Sequence, residues 1–153
     1  MKKNIILSLL FLHFCFYGCN NQDEQETAPT SENDIDAARN FIRASLNGDY
    51  DKAKSYMLKD STNNQFFDAY ERNFTTLDGE QRRDYRDASL NIHEVKPVND
   101  SVTIIIYSNS FKKDHDTLKV VRLNNEWLVD FKYLFQHNMD TLQTTLNKTD
   151  TSK

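Results

Sequence analysis

The period of the apolar residues changes once along this chain, near Asp87, from helical to extended. That change constrains the fold more than any other feature of the sequence. Before it, Ile35, Ala38, Phe41, Ile42 and Leu46 recur at spacings that place them on one face of a helix. Ser31-x-x-Asp34 resembles a capping box at its start, and Gly48 is placed to end it in the left-handed conformation. Asp49 is expected to cap a short second helix presenting Tyr50, Ala53, Tyr56 and Met57. Ser61 is expected to cap a third helix whose face is Phe66, Phe67, Tyr70, Phe74 and Leu77, with Gly79 at its end and a further helical turn over 80–85.

Beyond Asp87 the side chains alternate. A strand is predicted over 89–95, with Leu90 and Ile92 on one face and His93 turned away from them. Pro97-Val98-Asn99-Asp100 reads as a turn. The strongest strand, 102–110, is rich in β-branched residues; Val102, Ile104 and Ile106 share one face and Thr103, Ile105 and Tyr107 the other. A charged turn over 112–115 leads to a strand over 117–123. Asn124-Asn125 then suits a two-residue hairpin, because asparagine tolerates positive φ. The last strand, 126–133, puts Trp127, Val129, Phe131 and Tyr133 on one face and so turns Asp130 to water. Three helices followed by a four-stranded antiparallel meander specify an α+β domain with the helices packed on one face of the sheet.

The N-terminus implies a location. Lys2 and Lys3 precede an apolar run over 5–17, too short to span a bilayer, which takes ~20 residues. The run ends in Phe16-Tyr17-Gly18-Cys19, which resembles a bacterial lipobox, with Phe16 and Tyr17 where leucine and a small residue are usual. The alternative is an ordinary cleaved signal peptide with Cys19 incidental. It lacks a cut site, because the third position before Gly18-Cys19 is the bulky Phe16 and no small-x-small site occurs before Ala28. Residues 1–18 therefore read as a lipoprotein signal peptide, with Cys19 the lipidated residue. Residues 19–33 read as the lipidated cysteine and a flexible acidic tether with no large apolar side chain. The domain is expected over 34–135. The polar stretch 136–153 follows, in which Met139, Leu142 and Leu146 keep the spacing of a short helix. The other cysteine, Cys15, leaves with the signal peptide, so the domain has neither thiol nor disulfide and must be held by its core.

Processing takes away Lys2 and Lys3 and no acid, so the net charge falls from −4 to about −6. With no Lys/Arg cluster, such a domain has no footprint for nucleic acid, and anionic headgroups repel it. The lipid is then the membrane attachment.

The stretch from Phe41 to Ala53, with its Gly48-Asp49 pair and inward Ala53, resembles the opening of small nuclear transport factor 2-like (cystatin-like) lipoprotein domains of Bacteroidota. The hairpin from Leu123 to Phe131, where Trp127 follows a polar turn, is similar to that family's last strands. The resemblance implies a curved sheet wrapped around the helices as a cone. It also implies an interior set of Phe41, Tyr56, Phe66, Tyr70, Phe74, Trp127 and Phe131, either plain core or candidate cavity lining. The acidic residues after Cys19 resemble the surface-export signals of such lipoproteins and leave open surface or periplasmic exposure at the outer membrane.

No catalytic signature stands out. Tyr56 and Tyr70 could donate to an oxyanion but also serve as core. Asp114-His115-Asp116 is rich in metal-ligating atoms, but it reads as a solvated turn, with His93 and His137 at no spacing that ties them to it. No phosphate-binding glycine loop, nucleophile motif or cofactor fingerprint is present. The expected function is a lipid-anchored envelope protein acting as a noncatalytic module for a small apolar ligand or an envelope protein partner. The alternatives are a small isomerase or dehydratase using the cone, and a structural accessory subunit.

Overall fold

The computed structural model describes residues 30–137. Cys15, Cys19, the tether up to residue 29, and Met139, Leu142 and Leu146 lie outside the described residues.

Four helices precede the sheet, not three: α1 (Asp34–Asn47), α2 (Tyr50–Ser55), α3 (Ser61–Thr75) and α4 (Gly79–Asp87). Capping residues account for each boundary. Asn33, rather than Ser31, caps α1, its Oδ1 accepting the Asp36 N–H at 2.9 Å. Gly48 ends α1 at φ 76°, a conformation that costs glycine nothing. Asp49 caps α2. Asp60, one residue before Ser61, caps α3. Gly79 does not close α3, which ends at Thr76; it opens α4, where Asp78 and Gln81 form a full capping box. That box makes a nine-residue helix of what the sequence suggests is one extra turn.

The strands are β1 (Leu90–Asn99), β2 (Val102–Asn109), β3 (His115–Leu123) and β4 (Glu126–Asp130), an antiparallel sheet in the order β1-β2-β3-β4. The expected Pro97–Asp100 turn is instead the end of β1, and the chain reverses at Asp100 and Ser101. Proline is admissible there because β1 is an edge strand. Asn124 and Asn125 take φ of 51° and 66°, the mirror-image turn expected of a two-residue hairpin.

α1 lies across β2, β3 and β4. Ala37 and Ala38, with no exposed surface, let its backbone come close. Phe41, Leu46, Met57, Phe67, Ile105, Leu118, Val120 and Val129 fill the core between helices and sheet. Truncating one of the larger of these to alanine costs about 2–5 kcal/mol. Thr103, Ile105 and Tyr107 face this core, while Val102, Ile104 and Ile106 are half-buried on the outer face.

β4 stops at Asp130, three residues short of the expected end, and a fifth helix, α5, covers 132–137. Phe131, Leu134 and Phe135 have helical spacing as well as following an alternating run. The helix wins because Phe135 stacks on Phe66 of α3, centroids 4.8 Å apart, and packs edge-on to Phe131. Tyr133 therefore belongs to a helix, not to the strand face shared by Trp127 and Val129.

Asp130 does not face water. It is 4% exposed, ion-paired with Lys119 at 2.8 Å and Lys132 at 2.9 Å, and it accepts the Asn63 side-chain amide at 3.2 Å. Burial opposes its ionisation, but the hydrogen bonds from Lys119, Lys132 and Asn63 outweigh it and hold the carboxyl below its ordinary range. Asn63 has no exposed surface. Its amide also donates to Asp60 at 2.7 Å, and its Oδ1 accepts the Lys132 backbone N–H at 2.8 Å. This one side chain therefore ties together the start of α3, the end of β4 and the start of α5.

Candidate functional site

A cavity of about 310 Å³ lies between α1, α3 and α4 on one side and the inner face of β2 and β3 on the other, with α5 at its edge. Helical spacing supplies most of the wall. Phe41, Ser45 and Leu46 come from α1; Tyr70 and Phe74 come from α3, with Leu77 just beyond its end. Ile42 of α1, Tyr85 of α4, Tyr107 of β2, Phe111, Phe131, and Leu134 and Phe135 of α5 complete the apolar lining. The aromatic rings meet edge to face: Tyr70 with Phe131 at 5.7 Å, Phe74 with Tyr85 at 5.3 Å, Tyr85 with Phe111 at 5.1 Å.

Polar groups line it too: Ser45 of α1, Asn73 of α3, and Asn109, Lys112 and Asp116 around the start of β3. Tyr107 and Asp116 are direct cross-strand partners, so their side chains stand together on the inner face. Asp116 is 6% exposed, and Lys112 Nζ lies 2.8 Å from its Oδ1. Asn109 shapes the turn that brings Lys112 there, its Oδ1 accepting the backbone N–H groups of Phe111 and Lys112 at 3.1 and 2.9 Å. Lys113, in the left-handed region at φ 64°, completes it. The hydroxyls of Tyr70 and Tyr85 hydrogen-bond each other.

Burial pushes the Tyr107 hydroxyl well above its ordinary range, and the charge of Asp116 adds to the shift. Tyr70 is raised chiefly by burial, then by Tyr85. Tyr85 is raised by burial and the charge of Asp116, against the hydrogen bond from Tyr70. All three remain protonated phenols at neutral pH, able to donate a hydrogen bond but not to act as bases. The inward carboxylate, Asp116, is already engaged by a lysine. The site is an aromatic chamber with hydroxyl donors and one paired charge.

The structure separates the residues expected to share an interior. Phe41, Tyr70, Phe74 and Phe131 line this cavity. Tyr56 and Trp127 lie instead on a larger recess of about 390 Å³ between the segment after α2 and the β3–β4 hairpin. Phe66 is spent on stacking with Phe135. The larger recess carries less chemistry. Its ionisable residues Lys59 and Glu126 are exposed, and its Asp60 is engaged by Asn63 and Lys132.

Asp116 is the residue that reading the sequence missed. β3 begins at His115, two residues before the expected start, so Asp116 falls on the same inward parity as Leu118 and Val120. The signal was that parity, masked by the charged run before it. His115 points the other way and is exposed. Its ring lies 4.2 Å from that of His93, which is exposed on β1 as expected and contacts Ser108 Oγ at 2.7 Å. Asp114, His115 and Asp116 thus do not converge. Among the described residues no group of three or more metal-ligating side chains is found, and no helix is long and apolar enough to cross a membrane.

No family model matches the chain, and no curated protein matches it. Among solved structures, it is similar to an NTF-2-like protein of unknown function from Shewanella oneidensis MR-1, with 14% identity and a TM-score of 0.46, covering 62% of this chain and 89% of that one.

Proposed function

We propose that this protein is a lipid-anchored envelope lipoprotein whose domain, a nuclear transport factor 2-like cone, binds a small, largely apolar ligand without transforming it. The observation that carries the binding reading is the cavity itself, walled mainly by aromatic and aliphatic side chains with a few polar groups among them. Sites of this kind are concave, mostly apolar and oriented by a few polar groups, and about 310 Å³ lies at the small end of their usual range. The anchoring reading rests on the Gly18-Cys19 junction and the acidic tether that follows it. Lipid on Cys19 and a tether would hold the domain at the outer membrane, clear of the headgroups, in reach of ligands in the periplasm or outside the cell.

One observation favours a second reading. Asp116 is an inward carboxylate in a cavity also lined by three phenols, the kind of group an isomerase or dehydratase uses as its base. Its pairing with Lys112 argues against that role, since one of its oxygens is already engaged by the lysine at 2.8 Å.

Titration calorimetry with 2-phenylethanol, on a soluble form of the chain starting at Asn20, tests the binding reading. Saturable binding is expected. It should be lost in Ser45→Leu, which places a larger side chain on the α1 wall of the cavity. No binding, or binding that Ser45→Leu leaves unchanged, would overturn it.

A further inference from the structure

We infer that the ligand class this cavity prefers is a small apolar amine, whose ammonium group takes the place of Lys112 on Asp116 beside the aromatic rings. The inference rests on the cavity being a binding site. It deepens that reading by asking which charge the polar groups around Asp116 accept.

Three observations carry it. First, Asp116 is almost fully buried, yet its charged partner is a single flexible side chain that is itself 48% exposed. Lys112 can swing into water at little cost, whereas Asp116 cannot follow. An incoming cation therefore replaces one ion pair with another and leaves no buried charge without a partner. An incoming anion does the reverse: it must draw Lys112 away from Asp116 or sit beside a buried carboxylate of its own sign, both unfavourable. A neutral hydroxyl can donate to Asp116, but without the gain of a charged donor.

Second, the rings of Phe74, Tyr85 and Phe111 run edge to face along the wall, and Tyr107 stands beside the carboxylate. An aromatic face turned toward a desolvated cation attracts it through the ring quadrupole, in addition to the pull of a carboxylate. The tyrosines among them remain neutral, so they supply this attraction without adding a titratable charge. Third, the chain is acidic overall, with a net charge of −4, so its field favours approach of a cation.

Three probes share nearly the same apolar body and differ in head group: 2-phenylethylamine, 2-phenylethanol and 3-phenylpropionate. Calorimetry at neutral pH and low salt is expected to rank them amine, alcohol, carboxylate, with the amine about tenfold tighter than the alcohol. Asp116→Asn should bring the amine down to the level of the alcohol while alcohol binding persists. Lys112→Ala, a change at a half-exposed side chain, removes the competing cation and should tighten amine binding further. Alcohol or carboxylate binding as tightly as the amine would overturn the inference and leave the cavity reading standing. So would amine binding that Lys112→Ala weakens. If none of the three binds, the cavity reading itself falls, and this inference with it.

Discussion

Replacing Asn63 tests how this fold joins its helical half to the end of its sheet. The side chain has no exposed surface and makes three hydrogen bonds, two to carboxylates and one from a backbone N–H. Those partners fix its orientation, since only the amide nitrogen can face two carboxylates and only the oxygen can accept from Lys132. In Asn63→Ala the part-buried Lys132 N–H loses its acceptor, a penalty of about 1–3 kcal/mol. Asp130 keeps Lys119 and Lys132 at 2.8 and 2.9 Å, so the loss on that side is partial. The total is about 3 kcal/mol, enough to lower the thermal midpoint of a domain this size by more than about 10 °C. Urea denaturation followed by far-UV circular dichroism, on the chain from Asn20, gives the number. Asn63→Asp sharpens the test. It removes the donor and adds a negative charge between Asp60 and Asp130, so it should be less stable than Asn63→Ala at neutral pH. Losses below about 1 kcal/mol, or equal losses for the two variants, would refute the reasoning.

The same cluster sets the response to acid. The Asp60 carboxyl is lowered from 3.8 to about 2, first by the Asn63 backbone N–H and, against burial, by the Asn63 amide and Lys132; Asp130 is lowered as well. A depressed carboxyl contributes its full stability above its unfolded pKa and loses it as pH falls through the folded value. The contribution of this cluster to the urea midpoint should therefore be constant from about pH 5 to 9 and decline between about pH 4 and 2, less steeply in Asn63→Ala; a wild-type midpoint that holds steady between about pH 4 and 2 would contradict this. For the anchor, Cys19→Ala in the full-length chain should move the protein from the membrane fraction to the soluble one, whereas retention at the membrane would mean that something other than lipid on this residue holds it.

Much of the fold was legible in the sequence because local chemistry dictates it. The change of period at Asp87, the β-branched run of β2, Gly48 and the Asn124-Asn125 turn each express a steric preference of a few adjacent residues. What was not legible depends on partners far along the chain. Alternation assigns Asp130 to the face of the sheet opposite Val129, and it shares that face with its cross-strand partner Lys119. Parity says which face a side chain takes but not what covers it, and the cover comes from Asn63 and Lys132. The end of β4 was ambiguous for a related reason. Residues 127–135 fit both periods, and packing on Phe66 decides between them. The candidate site was half legible. Helical spacing identified Phe41, Tyr70 and Phe74 as inward. Asp116 was hidden because two residues of strand at the start of β3 separate a solvated turn from an inward carboxylate.

Among the described residues, the aromatic cavity and the recess beside the hairpin are both candidates for the ligand, and locating a bound probe decides between them. Intermolecular nuclear Overhauser effects from bound 2-phenylethanol to the chain from Asn20 are the direct measurement. Contacts are expected to the ring protons of Tyr70, Tyr107 and Phe131, which line the aromatic cavity. Contacts confined to Trp127 and Leu123, on the recess beside the hairpin, would contradict the assignment of the site.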